Sequence, residues 1–420
     1  MSSLQYLSQR PFKFTLKGLL YFALLAVLLI TSVLLKSFRP VVLSVPIALT
    51  LGFSSVFFRS TRVNVVRAVE RSKVMPGEVV RVELIVSSSE SCPLEVRDTA
   101  GGEVVEGSNI ILLNLTGERK LDYKVRLPRR GLYNFGPTLV VYSDPMNLWE
   151  NVVELGGRSE VVVLPELLSA RGLKLGARYT GVWPGEVPSR RSGKGYEFYG
   201  VREYVPGDEL KRINWRVSAR LSKLMSNEQV EEKVTDVLIV VDAGVLGVLN
   251  SWEVWDLVDA EASLAASLAY SLLRTGNRVG LVVRARDSMW LRPGFGKRQL
   301  DRILYLLAGL EPGEPAPLDY ALSMLTPYLL KPNAEFIAIT PLLDSNVVNS
   351  ILDLSPRYSI LVISPNPLHG KTGAGYRALE VERNSLIVKL SNICRVIDWV
   401  PGTLLLRATR RGGRVGGAWR

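Results

Sequence analysis

The stretch DVLIVVDAG, residues 236–244, decides the fold of the C-terminal half of the chain. Its apolar residues run without interruption, as expected of a strand that is buried on both faces of a parallel sheet. A long helical pattern follows at residues 251–276, and a second apolar run, RVGLVVRA, lies at residues 278–285. This alternation continues down the chain, so we predict a doubly wound α/β domain over residues 236–400.

The later elements of this domain can also be placed from the sequence. Asn250 and Glu253 fit the N-terminal cap of the long helix, and Gly276 fits its end. The next segments indicate two helices, a strand, a short helix and a strand, at residues 296–310, 317–330, 335–340, 346–354 and 358–364. Ligands gather at the carboxyl ends of strands in such sheets. The residues expected there are Asp242 and Thr340–Asp344.

Two uncharged apolar runs lie near the N-terminus, at residues 18–35 and 40–58. Each is close to the length that crosses the hydrocarbon core of a bilayer, so residues 1–62 are predicted to form a two-helix transmembrane hairpin. The turn between the runs contains only Lys36 and Arg39 as cations. The flanks contain Arg10, Lys13, Lys17, Arg59, Arg62, Arg67, Arg71 and Lys73. By the positive-inside rule we expect a two-span protein of the cell membrane, with both termini and the bulk of the soluble part in the cytoplasm.

Residues 63–165 show the alternation that is typical of half-buried strands, most clearly from Val80 to Val86. Gly, Pro and Asp separate several short runs of this kind, so we predict an immunoglobulin-like β-sandwich. Within it, the stretch PRRGLYNFGPTLVVYSDPMNLWE, residues 128–150, is interpreted as a structural hairpin and strand. Leu148 and Trp149 would cover the end of the sandwich or the next domain.

Composition excludes several classes of function. Hydrophobic residues make up 47% of the chain and charged residues 22%, which predicts a folded core. The single histidine, His369, excludes a mechanism that needs two, and Cys92 and Cys394 suggest neither a disulfide framework nor a zinc cluster. The net charge of +12 suits an anionic membrane surface or an acidic partner. We expect no nucleic-acid partner, because no recognition motif accompanies the charge. The basic, Gly-rich tail at residues 401–420 is predicted to be disordered.

A segment at residues 166–235 links the two soluble domains and contains GYEFYGVREYVPGDELKRINWRVSAR at residues 195–220. Its Pro-Gly pair predicts a turn, and Asp208 is expected to cap a helix that begins at Glu209. At the helical period the apolar residues would share an inward face. These residues are Leu210, Ile213, Val217 and Leu221.

The opposite face of this helix would combine a tryptophan with cations. Trp and Arg are the residue types that anchor protein interfaces. Two interpretations remain open: either Trp215 lies under another part of the chain, beside internal ion pairs among Arg202, Glu203, Asp208 and Arg212, or this face docks a partner. The candidate partner-binding residues are Arg202, Tyr204, Asp208, Lys211, Arg212, Trp215 and Arg216.

Three of these segments together resemble the family named domain of unknown function fifty-eight. They are RRGLYNFGPTLVVYSDPMNL, GYEFYGVREYVPGDELKRINWRVSARLSKL and VLIVVDAG. The resemblance covers most of the chain. It implies a membrane hairpin and a β-sandwich joined to a von Willebrand factor A-like domain. It also implies a partnership with MoxR-type AAA+ ATPases, in systems that assemble or mature other proteins.

The resemblance raises the question of a metal site. Von Willebrand A domains commonly bind Mg²⁺ through Asp-x-Ser-x-Ser after the first strand, together with a Thr and an Asp from later loops, which are hard oxygen ligands. In this chain Gly244 and Leu246 stand at the two serine positions. Asp242 and Asp344 are the remaining candidate ligands, and Asp319 lies before a predicted helix. We therefore expect neither metal nor cofactor, and interpret Asp242 as a strand-end or helix-cap acid.

These observations predict a non-enzymatic, membrane-anchored scaffold that binds a MoxR-type AAA+ ATPase and an unidentified client protein. One alternative is an outward-facing adhesion or envelope-assembly module, which membrane topology distinguishes from the scaffold. Another is a hydrolase, which would need a nucleophile and a base. His369, in the loop-like stretch NPLHGKTG, has no companion histidine for that chemistry.

Overall fold

The computed structural model describes residues 7–9, 13–57, 63–144, 146–168, 198–229, 236–244, 249–285, 288–313 and 334–403. The chain divides into two compact units, Met1–Leu164 and Pro165–Arg420. The predicted helix at residues 317–330, with Asp319, lies outside the described residues, and so does most of the predicted tail.

The first unit begins with two helices, α1 (Leu16–Leu34) and α2 (Arg39–Phe57), which pack against one another. α1 is long and apolar enough to cross a membrane, with a mean hydropathy of 2.2, and only 6% of that stretch is buried. The apolar part of α2, Arg39–Ser55, is shorter. One predicted span is therefore matched by a helix of sufficient length, and the second span stays a prediction.

The rest of the first unit is built from strands. They are β1 (Leu7–Gln9), β2 (Lys13–Phe14), β3 (Val63–Val69), β4 (Lys73–Val74), β5 (Val79–Asp98), β6 (Glu103–Gly107), β7 (Ile110–Arg126), β8 (Gly131–Phe135), β9 (Thr138–Ser143), β10 (Trp149–Leu155) and β11 (Ser159–Val163). One sheet has the order β1-β10-β9-β5-β7-β6, with β2 also paired to β10 and β3 to β5, and the other has the order β4-β11-β8.

The two sheets enclose one apolar core, so this part of the chain is a β-sandwich. Leu84 and Val125 of the larger sheet lie in the same buried cluster as Phe135 and Val161 of the smaller one. The predicted alternation in β5 is confirmed, since Val80, Val82, Leu84 and Val86 are each at most 1% exposed. Period-two patterning thus placed the buried face of the longest strand correctly.

The described elements of the second unit begin with a strand pair and continue as an α/β domain. The strands are β12 (Phe198–Glu203), β13 (Met225–Gln229), β14 (Asp236–Asp242), β15 (Arg278–Arg284), β16 (Met289–Gly294), β17 (Glu335–Ile339), β18 (Ser359–Pro365) and β19 (Arg395–Trp399). The helices are α3 (Trp215–Leu221), α4 (Ser251–Arg274), α5 (Gly296–Ala308), α6 (Ser345–Leu354) and α7 (Ala374–Ser391), with a 3-10 turn at Leu210–Arg212.

The large sheet of this unit has the order β16-β15-β14-β17-β18-β19. All neighbouring pairs are parallel except β15 and β16. β14 forms its centre, and Val237 to Val241 are at most 2% exposed, as the uninterrupted apolar run predicts. The order reverses direction between β14 and β17, which is the point where open α/β sheets place their ligands.

The ends of α4 confirm the predicted caps. The Asn250 side chain accepts a hydrogen bond from the backbone N–H of Glu253, and the Glu253 carboxylate accepts one from the N–H of Asn250. Gly276 follows the helix with a φ of +84°, a conformation that costs glycine little. The sequence prediction did not include β16, α7 or β19.

Candidate functional site

Polar side chains meet at the carboxyl edge of the large sheet, between β14 and β17. The Thr340 hydroxyl donates a hydrogen bond to Asp242 Oδ2 at 2.9 Å. Arg284, at the end of β15, donates from Nη1 to Asp242 Oδ1 at 2.8 Å. The side chains of Asp242 and Arg284 are only 7% and 12% exposed. The sequence thus placed Asp242 and Thr340 at the correct edge. It did not predict that Arg284, at the end of β15, contacts Asp242 there.

Asp344 completes this group, which we call the strand-end cluster: Asp242, Arg284, Thr340 and Asp344. Its Oδ2 lies 3.6 Å from Arg284 Nη2, and its Oδ1 accepts a hydrogen bond from the N–H of Asn346. Asp344 therefore caps α6 and also faces the guanidinium. Asp242 caps none of the described helices, and α4 is capped by Asn250; of the two roles predicted for Asp242, the described residues show the strand-end acid.

The strand-end cluster does not fit the Mg²⁺ that the resemblance implies. Mg²⁺ needs near-octahedral oxygen ligation, but both oxygens of Asp242 already accept hydrogen bonds, one of them from a cation. The guanidinium would also repel a divalent ion held by the same carboxylate. Among the described residues, no group of three or more His, Cys, Asp and Glu side chains is placed to hold a metal ion.

A second arginine joins the ends of the neighbouring strands. Arg383 of α7 is fully buried and donates to the carbonyl of Pro341, to the Ser364 hydroxyl and to Asp398 Oδ1, at 3.0, 2.8 and 2.6 Å. These acceptors follow β17 or lie in β18 and β19. Sequence reasoning missed Arg383, because nothing in ALEVERNSL marks this arginine as the buried one. Arg284 had a signal, since it directly follows the apolar run VGLVV of β15.

The other candidate region is the strand pair β12–β13, which is antiparallel and encloses residues 204–224. Arg202 Nη2 donates to Asp208 Oδ1 at 2.6 Å, and the N–H of Val205 donates to Asp208 Oδ2 at 3.1 Å. The hydrogen bond from Arg202 holds the pKa of Asp208 below its ordinary value. Asp208 therefore closes the Pro-Gly turn.

The expectation that Asp208 caps a helix from Glu209 is wrong. Glu209 and Ile213 are extended and flank a single 3-10 turn, so the α-helix begins only at Trp215. Its cap is Asn214, whose side-chain oxygen accepts from the N–H of Val217 at 3.1 Å.

The predicted inward stripe is also wrong for the same reason. Leu210 precedes the helix, so the four apolar residues do not share one helical face. Of the four, Ile213 is buried, whereas Leu210 and Leu221 are 72% and 56% exposed.

The exposed residues form what we call the Trp215 surface: Leu210, Lys211, Trp215, Arg216 and Leu221. The side chain of Trp215 is 67% exposed, so none of the described residues covers it in the way that one of the two interpretations would require. Lys211 and Arg216 are exposed as well.

The remaining candidate partner-binding residues make contacts within β12 and the segment that β12 and β13 enclose. Arg212 lies 3.6 Å from Glu209 as an ion pair, Arg202 pairs with Asp208, and the N–H of Tyr204 donates to the carbonyl of Leu224. Of the ion pairs predicted among Arg202, Glu203, Asp208 and Arg212, the structure shows Arg202 with Asp208. Arg212 pairs instead with Glu209, and Glu203 pairs with Lys223.

The structure also shows the surroundings of His369 and Cys394. His369 is exposed in the loop between β18 and α7. Burial raises the pKa of the Cys394 thiol to about 11, so that it stays protonated near neutral pH.

Solved structures similar to parts of this chain have low identity. The CARDB domain of a Pyrococcus furiosus protein is 16% identical, with a TM-score of 0.19, and the match covers 26% of this chain and 91% of that one. The complex of zinc 2-glycoprotein with prolactin inducible protein from human seminal plasma is 11% identical, with a TM-score of 0.19, covering 25% and 99%. The PKD domain of an M14-like peptidase from a Thermoplasmatales archaeon is 10% identical, with a TM-score of 0.16, covering 25% and 98%. TM-scores this low support no argument about this chain.

No curated protein matches the chain. A family model does: residues 200–366 match the family described as Protein of unknown function DUF58, a stretch that runs from β12 through β18 and includes the Trp215 surface and the strand-end cluster.

Proposed function

We propose that this protein is a non-enzymatic, membrane-anchored scaffold whose C-terminal domain, of the von Willebrand factor A-like type, binds other proteins. Its first partner is a MoxR-type AAA+ ATPase, which supplies the ATP-driven work, and the client protein is unidentified. In this proposal two spans tie the chain to the cell membrane and the soluble part faces the cytoplasm. The observation that supports the proposal best is the exposure of Trp215 within the family-matched region.

The Trp215 surface has the composition of an interface. Trp and Arg are enriched among the residues that dominate binding energy, and exposed apolar groups that lie together commonly mark interaction sites. Leu210 and Leu221, which precede and follow Trp215 in the chain, add exposed apolar area, and the exposed Lys211 and Arg216 add positive charge. A partner that fits this surface would offer an apolar pocket with acidic residues at its rim.

The surface is also held in place by the residues around it. The bond from Arg202 to Asp208 closes the turn before Leu210, and Asn214 both caps α3 and donates from Nδ2 to Asn227 Oδ1 at 2.8 Å. The Ser218 hydroxyl accepts from the N–H of Met225 at 2.8 Å. A pre-organised surface binds more tightly because less conformational entropy is lost on binding.

Replacing Trp215 and Arg216 by alanine tests this proposal. We expect the double variant of the full chain, in detergent, to lose at least about 30-fold in affinity for a MoxR-type ATPase of the same genome, as for a binding hot spot. Because both side chains are exposed, thermal unfolding should shift by no more than about 2 °C. Surface plasmon resonance and differential scanning fluorimetry measure the two effects.

The matched control is Trp252→Ala, since Trp252 is 72% exposed in α4 of the same unit. This variant should bind the ATPase like the wild type. Unchanged binding of the double variant, or an equal loss in the control, would remove the Trp215 surface from the proposal.

A further inference from the structure

Arg284 occupies the centre of the strand-end cluster. Its guanidinium contacts Asp242 at the end of β14 and faces Asp344 at the start of α6, with N–O distances of 2.8 and 3.6 Å. Asp242 also accepts from Thr340, which follows β17. One side chain therefore connects the ends of two central strands with the loop that leads into α6.

We infer that Arg284 is a built-in cation, which holds this edge of the sheet together in place of a divalent metal ion. The Asp242 carboxylate is only 7% exposed and needs a positive charge nearby, because an uncompensated buried charge is strongly destabilising, and the 35% exposed Asp344 adds a second negative charge beside it. A guanidinium can meet that need for two carboxylates at once, since its donors form a rigid fork. The domain therefore keeps its strand-end loops in place without Mg²⁺.

The loop that depends on this charge is conformationally demanding. Leu342 has a φ of +54°, which is uncommon for a residue other than glycine, and its side chain is fully buried. The Thr340 hydroxyl accepts from the N–H of Leu342 at 3.4 Å while it donates to Asp242. Fixing Asp242 with Arg284 therefore also fixes the start of this loop.

The same geometry predicts what removal of the guanidinium would expose. Both oxygens of Asp242, the Thr340 hydroxyl and the Asp344 carboxylate would then face a site without a cation. Such hard oxygen donors, completed by water, suit Mg²⁺ or Mn²⁺. The inference is thus that Arg284→Ala turns a metal-independent edge into a metal-dependent one. It goes beyond the proposed function, and failure of the Trp215 experiment would leave it standing.

The test is thermal unfolding of the full chain in detergent, in EDTA and in millimolar MgCl₂ or MnCl₂. The wild type should show a shift of less than about 1 °C between these conditions. Arg284→Ala should unfold roughly 5–15 °C lower in EDTA and regain at least about half of that loss with either ion. The double variant Arg284→Ala/Asp242→Asn should not respond to the ions.

Arg284→Lys is the matched control, because lysine keeps the charge; it should stay insensitive to both ions. Mn²⁺ binding to the wild type, followed by electron paramagnetic resonance, provides a second measurement if Arg284→Ala does not fold. Absence of Mn²⁺ uptake by the wild type and by Arg284→Lys supports the inference. Stoichiometric uptake by the wild type that is lost in Asp242→Asn overturns it, and so does a folded Arg284→Ala variant that ignores both ions.

Discussion

Glu335 is a buried carboxyl group at the first position of β17. It is 2% exposed, and neither of its side-chain oxygens has a hydrogen-bond partner among the described residues. Burial raises its pKa from an ordinary value of 4.5 to about 8. The group is therefore mostly protonated at pH 7 in the folded protein.

This shift makes stability depend on pH. The folded-state pKa lies above the unfolded value, so the contribution of Glu335 is complete below about pH 4.5 and is lost as the pH rises towards about 8. We expect Glu335→Gln to remove this loss, because glutamine does not titrate. At pH 8 the free energy of unfolding should exceed that of the wild type by roughly 2–4 kcal/mol, and at pH 5 the two should differ by less than about 1 kcal/mol.

Denaturant unfolding of both proteins at pH 5, 6.5 and 8 checks this prediction. Glu380→Gln, at an exposed position of α7, is the control and should keep the pH profile of the wild type. Parallel profiles of Glu335→Gln and the wild type would show that Glu335 is ionised in the folded state.

At the residue scale, the sequence predicted where a residue lies in the fold better than which side chains it contacts. Asp242 and Thr340 were expected at one edge because each follows an apolar strand. That Arg284 lies between Asp242 and Asp344 depends on which strands are neighbours, and sequence spacing does not contain that information. The sequence left open whether Trp215 is covered or faces outward, and the helix on which both interpretations rested begins six residues later than predicted.

At the scale of elements, α1 and α2 are joined to the sandwich through the loop between β9 and β10. Ser54 donates to Asp144 Oδ2 at 2.5 Å, and the Thr15 hydroxyl donates to the carbonyl of Asn147 at 2.7 Å. Burial acts to raise the pKa of Asp144, but hydrogen bonds from Ser54 and from three backbone amides outweigh it and hold the pKa below its ordinary value. Asp144 and Asn147 thus contact the helix pair.

Gly18 allows α1 to lie close to the loop between β9 and β10. A Cβ atom at this position would lie 2.1 Å from the carbonyl oxygen of Leu148, so Gly18→Ala must displace α1 or the loop. We expect it to destabilise the first unit by about 1–3 kcal/mol, as other overpacked sites do. Thermal unfolding of the full chain in detergent measures the effect.

Gly52→Ala is the matched control, because a Cβ atom there meets no heavy atom within 4 Å in α2. It should leave stability unchanged or raise it by up to about 1 kcal/mol through helix propensity. Equal effects of the two substitutions would argue against a tight joint at Gly18.

Elements with strong periodicity or unbroken apolar runs were predictable, and weakly patterned ones were not. β14, α4 and β15 appear close to the predicted bounds, because burial on both faces of the sheet imposes an apolar run. α7 was missed because its polar and apolar residues are mixed around the helix, with Val381 and Val388 exposed and Arg383 buried. The close contact between Gly18 and the loop was not predictable from the sequence, because the stretch GLL at residues 18–20 suits a lipid-facing helix equally well.

At the scale of the whole molecule, the order of parts was readable from the sequence. Apolar helices, a sandwich and an α/β domain follow one another as predicted, because each part has its own hydrophobic period. The sidedness of the membrane rests on a different kind of signal, the excess of Lys and Arg outside the helix pair. It therefore needs its own test.

Cysteine labelling in cells provides that test. In a background with Cys92→Ser and Cys394→Ala, one reporter is Phe38→Cys, between α1 and α2, where the native side chain is 85% exposed. The other is Gly157→Cys, at an exposed turn of the sandwich where an added Cβ atom has no heavy atom within 4 Å. With a membrane-impermeant maleimide, we expect Phe38→Cys to be labelled in intact cells and Gly157→Cys only after permeabilisation.

The physical reason is the positive-inside bias, since moving cations across a bilayer is costly. Eight Lys and Arg residues flank the two apolar runs at residues 18–35 and 40–58, and the stretch between the runs contains two. Labelling of Gly157→Cys but not Phe38→Cys in intact cells would place the sandwich outside. The adhesion alternative would then replace the cytoplasmic scaffold, because a cytoplasmic ATPase could not reach the Trp215 surface. Equal labelling of both reporters in intact cells would show that the helix pair does not cross the membrane as two spans. The proposed two-span anchoring of a cytoplasmic scaffold would then be wrong.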